Sequence, residues 1–310
     1  KKRAIAEAHF FRGWAHFYLA ALFGTPPIVD HVLTQSEYMQ PNSDKAELWE
    51  FIQNEFKTAA NSGDLAEKAN KDDKVMRVTK TAAQAMLGKA YVFDQKWAEA
   101  RTVLDEVINS GKYALYTGPY ENLLLFQGEH SCENVLEANV IEDANNRIGG
   151  WPACMELVFA WRAQNFYIDG DATDLHTSIG YGIGHPMRGL YDAFVEREGP
   201  DGYRLNNSLK TYDQIKAMNC HILDGVTLEQ HDGIFLWKIR AQYRSFTYGG
   251  VYYGYQSHNN RRYMRYAEVL LLAAEAHLQA GGDATKALNY VNQVRTRAQL
   301  APLASVTMDD

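Results

Sequence analysis

Apolar positions recur at helical spacing near both ends of this chain, and between them the pattern breaks into short runs punctuated by glycine. Residues 4–23 read as an apolar helix with Ile5, Ala8, Ala15, Leu19 and Leu22 on one face, ended by Gly24 and the Pro26-Pro27 pair. Phe10, Phe11, Trp14 and Phe17 cover most of the remaining circumference, so burial on several sides is expected. A second helix starts at Ser43-Asp44, where Asp44 and Glu47 have capping-box spacing. It carries Leu48, Phe51, Ile52 and Ala59 to a stop at Asn61-Ser62-Gly63. A charged loop follows over residues 64–78.

Residues 79–111 carry a pattern close to the 34-residue tetratricopeptide repeat. Leu87-Gly88-x-x-Tyr91 matches its first helix, and Ala100 followed by Leu104 its second, with small residues letting the two helices approach closely. A second pair lies near the other end. Val269, Leu272, Ala273 and Ala276 form one apolar face, Gly281-Gly282 breaks the chain, and Ala287, Leu288, Val291 and Val294 resume the period. One good repeat and one degraded one predict a partial solenoid of helix pairs. Between them, Gly149-Gly150, Gly180, Gly182, Gly184, Gly199-Pro200 and Gly249-Gly250 are too dense for long helices. One short helix is predicted over Met187–Glu198, with Leu190, Phe194 and Val195 on its face, and a hairpin over Ser245–Ser257. The fold class expected is therefore mainly α: tetratricopeptide-like hairpins forming a scaffold, with a large loop-rich region containing short strands.

The order of residues in the last helix pair, Arg265-Tyr266-Ala267-Glu268-Val269 through Ala274-Glu275-Ala276 to Asn292-Gln293-Val294-Arg295-Thr296-Arg297-Ala298, resembles the SusD/RagB family of glycan-binding outer-membrane lipoproteins. Further matches follow in the family's order. They are Ala6-Glu7-Ala8-His9-Phe10-Phe11-Arg12-Gly13 with the Gly24-Thr25-Pro26-Pro27 exit, Gly111-Lys112-Tyr113-Ala114-Leu115, Pro119-Tyr120, and Glu133-Asn134-Val135-Leu136-Glu137. The helix at 187–198 followed by Asp201-Gly202-Tyr203-Arg204 is similar too. The resemblance implies one SusD-like domain over 1–310, with 1–111 and 263–300 as helical scaffold and 112–262 as the loop-rich ligand-binding region. It also implies a lipid anchor at the outer membrane. The chain opens inside a helix and stops at Thr307-Met308-Asp309-Asp310, which looks like a helix cap. A fragment cut at both ends, without the anchoring cysteine, is the expectation.

Composition agrees. With 46% hydrophobic and 22% charged residues the chain is that of an ordinary globular protein, and no apolar run reaches 18 residues. A net charge of −7, with dispersed Lys and Arg, argues against a nucleic-acid partner. Cys132, Cys154 and Cys220 form no C-x-x-C pair and read as buried structural residues. Phosphate loops, zinc-protease motifs and nucleophile elbows are absent from the sequence, so no catalytic residue, cofactor or metal is assigned. Asp169-Gly170-Asp171-x-x-Asp174 fails the calcium-loop rule, having Asp174 where the turn glycine belongs. His9 and His16 read as satisfied helix residues.

Binding chemistry falls on aromatics. A sugar ring presents a face of C–H bonds that packs on a flat aromatic ring, while its hydroxyls need polar partners at the rim. The densest segment is Gln242–Gln256, with Tyr248, Tyr252, Tyr253 and Tyr255, and with Asn259-Asn260 nearby for polar contacts. A second offers Trp151, Trp161 and Tyr167, with Arg162, Gln164 and Asn165; Trp237 completes the candidate set. Trp14, Trp49 and Trp97, on helices, read as core. The reading is a non-catalytic surface protein that captures oligosaccharide or polysaccharide. By resemblance it delivers the glycan to a SusC-like TonB-dependent transporter. Capture of peptide or another nutrient, or a protein-binding tetratricopeptide scaffold, are the alternatives.

Overall fold

In a computed structural model of the protein, residues 1–140, 161, 182–223, 232–240 and 259–308 are described in full, and 166–168, 247–248 and 251–252 by their backbone. Four helices open the chain: α1 (Lys2–Phe23), α2 (Lys45–Asn61), α3 (Lys80–Phe93) and α4 (Trp97–Asn109). Short elements follow. They are β1 (Asn134–Ala138), β2 (Phe166–Ile168), α5 (Arg188–Glu198), α6 (Tyr203–Asn206), β3 (Leu209–Thr211), α7 (Tyr212–Lys216), β4 (Cys220–Ile222) and β5 (Ile234–Leu236). Then come β6 (Thr247–Tyr248), β7 (Val251–Tyr252) and β8 (Arg261–Arg265), which runs straight into α8 (Tyr266–Gln279) and α9 (Ala284–Arg297). The protein is mainly α, and the expected hairpin across residues 249–250 forms as β6 paired with β7.

The long helices stack in sequence order, α1 on α2, α2 on α3, α3 on α4, and then α8 on α4 and α9 on α8. One core runs through all six, from Phe10, Phe17, Ile52 and Phe56 to Leu104, Val269, Leu270 and Ala287. Side-chain caps start three of these helices, at Asp44, Thr79 and Asp283. The Asp44 side chain accepts from Ala46 and Glu47 amides at 2.8 and 3.2 Å, and Asp283 caps α9 in the same way at 2.9 and 3.1 Å. Gly24 ends α1 in the left-handed region, at φ 84°.

The structure corrects the orientation of α1. Its buried stripe is Ala6, Phe10, Gly13, His16, Phe17 and Ala20, while Ile5, Leu19 and Leu22 are exposed. Small residues decide this. A Cβ on Gly13 would stand 3.0 Å from the Glu55 Cβ, so α2 can approach only on that face. His16 is satisfied within it, taking the Val29 amide on Nε2 at 3.0 Å while Nδ1 meets the Arg12 carbonyl at 2.9 Å.

The loop-rich segment leaves the stack after α4 and returns at α8, and its two ends are clasped together. β1 and β8 pair antiparallel, with Asn134 opposite Arg265 and Ala138 opposite Arg261. Beside this ribbon Glu133 is wholly buried. One of its carboxylate oxygens takes Arg265 Nη1 at 2.8 Å; the other takes Arg297 Nη1 at 2.6 Å and the Tyr116 amide at 2.8 Å. Its carbonyl accepts the Tyr266 amide at 2.8 Å. Next to this knot Arg297 and Lys238 both lie over the Tyr120 ring, each 5.2 Å from its centroid. Burial pushes the Lys238 ammonium down to about 8, with Arg265, Arg297 and Arg204 adding repulsion against the pull of Glu133.

Three stability outcomes follow from these contacts. A Cβ on Gly88 would meet Leu104 Cγ and Cδ2 at 2.5 Å, and Leu104 is fully buried, so Gly88→Ala is expected to cost about 1–3 kcal/mol by overpacking. The measurement is the urea midpoint. Glu133→Gln leaves two arginines around a neutral amide and is expected to cost about 3–5 kcal/mol in the same assay. Lys238 binds its proton less tightly folded than in the unfolded chain, whose lysines titrate near about 10.4. Between these values the unfolded state holds more protons, so stability rises with pH. Lys238→Met is therefore expected to be more stable than the parent at about pH 7, with the difference narrowing as pH rises above about 8.

Candidate functional site

The loop-bearing side is built from small satellite cores set against the helical stack. In one, Trp161 and Trp237 lie with ring centroids 6.2 Å apart and planes 29° from parallel, and Phe235 meets Trp161 edge-on at 5.1 Å. Trp161 is 1% exposed and Trp237 5%. The two were expected as sugar-facing platforms, and the structure instead packs them with Ile215 and Cys220. The Trp237 indole N–H donates to Glu121 Oε2 at 2.8 Å, and the Arg240 guanidinium covers the ring at 3.8 Å. Arg240 also lies 3.4 Å from the same Glu121 oxygen. With its N–H and a ring face engaged, Trp237 anchors β5 to the 120–124 turn.

Asn259 and Asn260, expected as polar contacts for a ligand, are 5% and 4% exposed. The Asn260 side-chain oxygen accepts the Val140 amide at 2.7 Å, and Asn259 Nδ2 donates to the Leu124 carbonyl at 3.2 Å. Both hold backbone in place. Arg262, between them and β1, donates to the Leu124 and Leu125 carbonyls at 3.2 and 2.6 Å. A second satellite core, Leu205, Leu209 and Ile234, seats Phe194 and Val195 of α5. The neighbouring Asp201-Gly202-Tyr203-Arg204 segment is tied back by Arg204 Nε on Glu198 at 2.6 Å.

Three of the remaining expected aromatics lie on paired strands. Tyr167 is opposite His221 in the β2–β4 pair, Tyr248 opposite Val251 and Tyr252 opposite Thr247 in the β6–β7 hairpin. Their side chains lie outside the described residues, as do Trp151, Tyr253, Tyr255, Cys154 and the Asp169–Asp174 turn. Sequence reasoning missed Glu121, Arg240 and Arg262, which fasten the loops. Their partners lie far along the chain, so no local pattern marked them.

The Cys220 thiol is buried and pushed up to about 11, and burial raises the half-buried Cys132 as well, so neither forms a ready thiolate. Among the described residues no group of three or more His, Cys, Asp or Glu side chains is arranged to hold a metal ion. No described helix is long and apolar enough to cross a membrane.

Comparison with known proteins matches both ends of the chain to one family. Residues 1–92 match the family model described as "Starch-binding associating with outer membrane", and residues 224–310 match the model of the SusD family. A SusD-like protein of Bacteroides ovatus is 24% identical across the whole chain, which covers 55% of that relative. Among solved structures, a laminarin-binding SusD-like protein superimposes with a TM-score of 0.79 at 23% identity, over 99% of this chain and 66% of that one. Surface glycan-binding protein A from Bacteroides thetaiotaomicron, in complex with laminarihexaose, gives 0.75 at 21% identity, over 98% and 63%. The chain thus spans between about half and two thirds of the length of these relatives. SusD-type family models thus match both flanks of the chain, and the helical stack that joins them has the fold of SusD-like proteins.

Proposed function

We propose that this protein is a non-catalytic carbohydrate-capture protein of the outer-membrane surface, held there by a lipid anchor, which hands oligosaccharide or polysaccharide to a SusC-like TonB-dependent transporter. The observation that carries this reading is the division of labour in the chain. A rigid helical stack of SusD type holds a region whose aromatic density peaks at Gln242–Gln256, on a hairpin that pairs as a β-ribbon. Flat rings on a supported ribbon suit the apolar faces of sugars. Two structural neighbours, one laminarin-binding and one in complex with laminarihexaose, support a glycan ligand and make β-glucans the first probes. The region 112–262 is assigned as the ligand-binding part, with Trp151, Tyr167, Tyr248, Tyr252, Tyr253 and Tyr255 as its aromatic contacts. Trp161 and Trp237 support it from below.

Calorimetric titration against laminarin, laminarihexaose and a panel of plant, host and microbial polysaccharides tests this. Binding to one glycan class is expected, weakened about tenfold or more by Trp151→Ala or Tyr253→Ala. Trp161→Ala and Trp237→Ala are expected to cost about 3–5 kcal/mol of stability before any effect on binding is read. Silence from every glycan with folded protein, or release of reducing ends from any of them, overturns the proposal.

A further inference from the structure

The aromatic segment at 242–256 begins just after Arg240 and ends just before Asn259, and both flanks are fastened to one short turn, Tyr120–Leu124, and the residue that follows it. On the entering side, Glu121 Oε2 takes the Trp237 indole N–H at 2.8 Å and lies 3.4 Å from the Arg240 guanidinium. On the leaving side, Asn259 Nδ2 and Arg262 Nη1 both donate to the Leu124 carbonyl at 3.2 Å, and Arg262 Nη2 donates to the Leu125 carbonyl at 2.6 Å. The Asn260 amide donates to Glu129 Oε1 at 2.5 Å. A long segment thus has its two ends gathered at one base.

That base is tied into the scaffold. Leu123 is 2% exposed and Leu125 is fully buried. Tyr120 packs with Ala298 and Leu300, at the end of α9 and beyond it. The chain that follows folds tightly against the turn, for a Cβ on Gly128 would stand 2.2 Å from the Asn122 carbonyl oxygen. A base packed in this way cannot shift without disturbing its neighbours, so what it holds is held in the frame of the helical stack.

The two flanks are held by different chemistry. On the leaving side the acceptors on the turn are backbone carbonyls, which a side-chain substitution does not remove. On the entering side the acceptor is a carboxylate. Arg240 covers the Trp237 ring at 3.8 Å, and the Lys210 ammonium lies over the same ring at 5.4 Å. Burial holds that ammonium below the ordinary lysine range; Glu121 draws it up and Arg240 pushes it down. Removing the Glu121 carboxylate takes an acceptor from the indole N–H and a counter-charge from both cations, so the entering flank loses a bond and gains repulsion together. The leaving flank keeps its own bonds. A ligand surface already held in its binding arrangement avoids the cost of being ordered when ligand arrives, and affinity rises accordingly.

We propose that Glu121 is a positioning residue for glycan binding: it holds the entering end of the aromatic segment on the same turn that holds the leaving end, and so sets the rings in the arrangement that meets sugar. The proposal rests on the carbohydrate-capture reading and assigns part of its affinity to a side chain outside the aromatic set.

The test compares the parent with Glu121→Ala, with Glu121→Gln, which keeps a neutral acceptor for the indole N–H, and with Asn259→Ala on the other flank. Gly88→Ala is the control, since it strains the helical stack far from the turn. Each is titrated with neutral β-glucan, α-glucan and mannan oligosaccharides, and amide hydrogen exchange is followed along the chain by mass spectrometry. Glu121→Ala and Asn259→Ala are expected to weaken binding about tenfold and Glu121→Gln about threefold, with Gly88→Ala binding as the parent does. Exchange over 241–258 is expected to quicken in the Glu121 and Asn259 variants while α1 to α4, α8 and α9 keep the parent's protection. If the parent binds a glycan and the folded Glu121 variants bind it equally well, the positioning role is overturned while capture stands. Weaker binding without quicker exchange over 241–258, or an equal loss in Gly88→Ala, also overturns it. If the parent binds no sugar, the capture reading falls, and unchanged exchange over 241–258 in Glu121→Ala would show separately that the turn does not hold the segment.

Discussion

The buried carboxylate of Glu133 is the contact on which the rest of the architecture depends. It is the point where the segment leaving the helical stack, the strand returning to it and the last helix all meet, through Tyr116, Arg265 and Arg297. A carboxylate taken fully out of water is tolerable only when its lone pairs are filled by well-placed donors, and two guanidinium groups and a backbone amide do that here. The geometry is demanding on all three partners at once, so the knot positions α8 and α9 relative to β1 in a way that apolar packing, which is indifferent to small slips, would not.

This explains why separate stretches of sequence resemble one family. Glu133-Asn134-Val135-Leu136-Glu137, Arg265-Tyr266-Ala267 and Arg295-Thr296-Arg297-Ala298 look like unrelated motifs when read along the chain, but the residues that distinguish them touch one another in the fold. The Ala-rich helix faces around them have a different cause: Gly13 and Gly88 sit where neighbouring helices leave no room for a Cβ. Charge fixes the register of the ends, and small residues fix the spacing of the layers.

How much was legible follows from the range of each interaction. Helices α1 to α4, α8 and α9 were readable because their signals are local: a period, a cap at Asp44, a break at Gly281-Gly282. The face of α1 was misjudged because both of its stripes are hydrophobic, and only the partner helix decides between an aliphatic and an aromatic one. Trp161 and Trp237 were read as outward platforms because a tryptophan between glycines looks the same in sequence whether it stacks on sugar or on a second tryptophan; the arbiters, Glu121 and Arg240, are distant or featureless in the string. Trp14 was read as core, and its ring does pack there, beside Tyr18 of its own helix and Tyr263 of the returning β8. Non-local closure is what the sequence withholds.

The clasp of β1 on β8 has a consequence for how such a protein changes over time. Because the ends of the inserted region are pinned to each other and to the stack, lengthening what lies between them adds only a logarithmic entropy cost, about 0.6 kcal/mol for a doubling. The scaffold registers almost nothing of what happens beyond the clasp. Loops beyond the clasp are therefore free to be exchanged, extended or rebuilt while the folding problem stays solved, much as a tool holder accepts one bit after another without being remade.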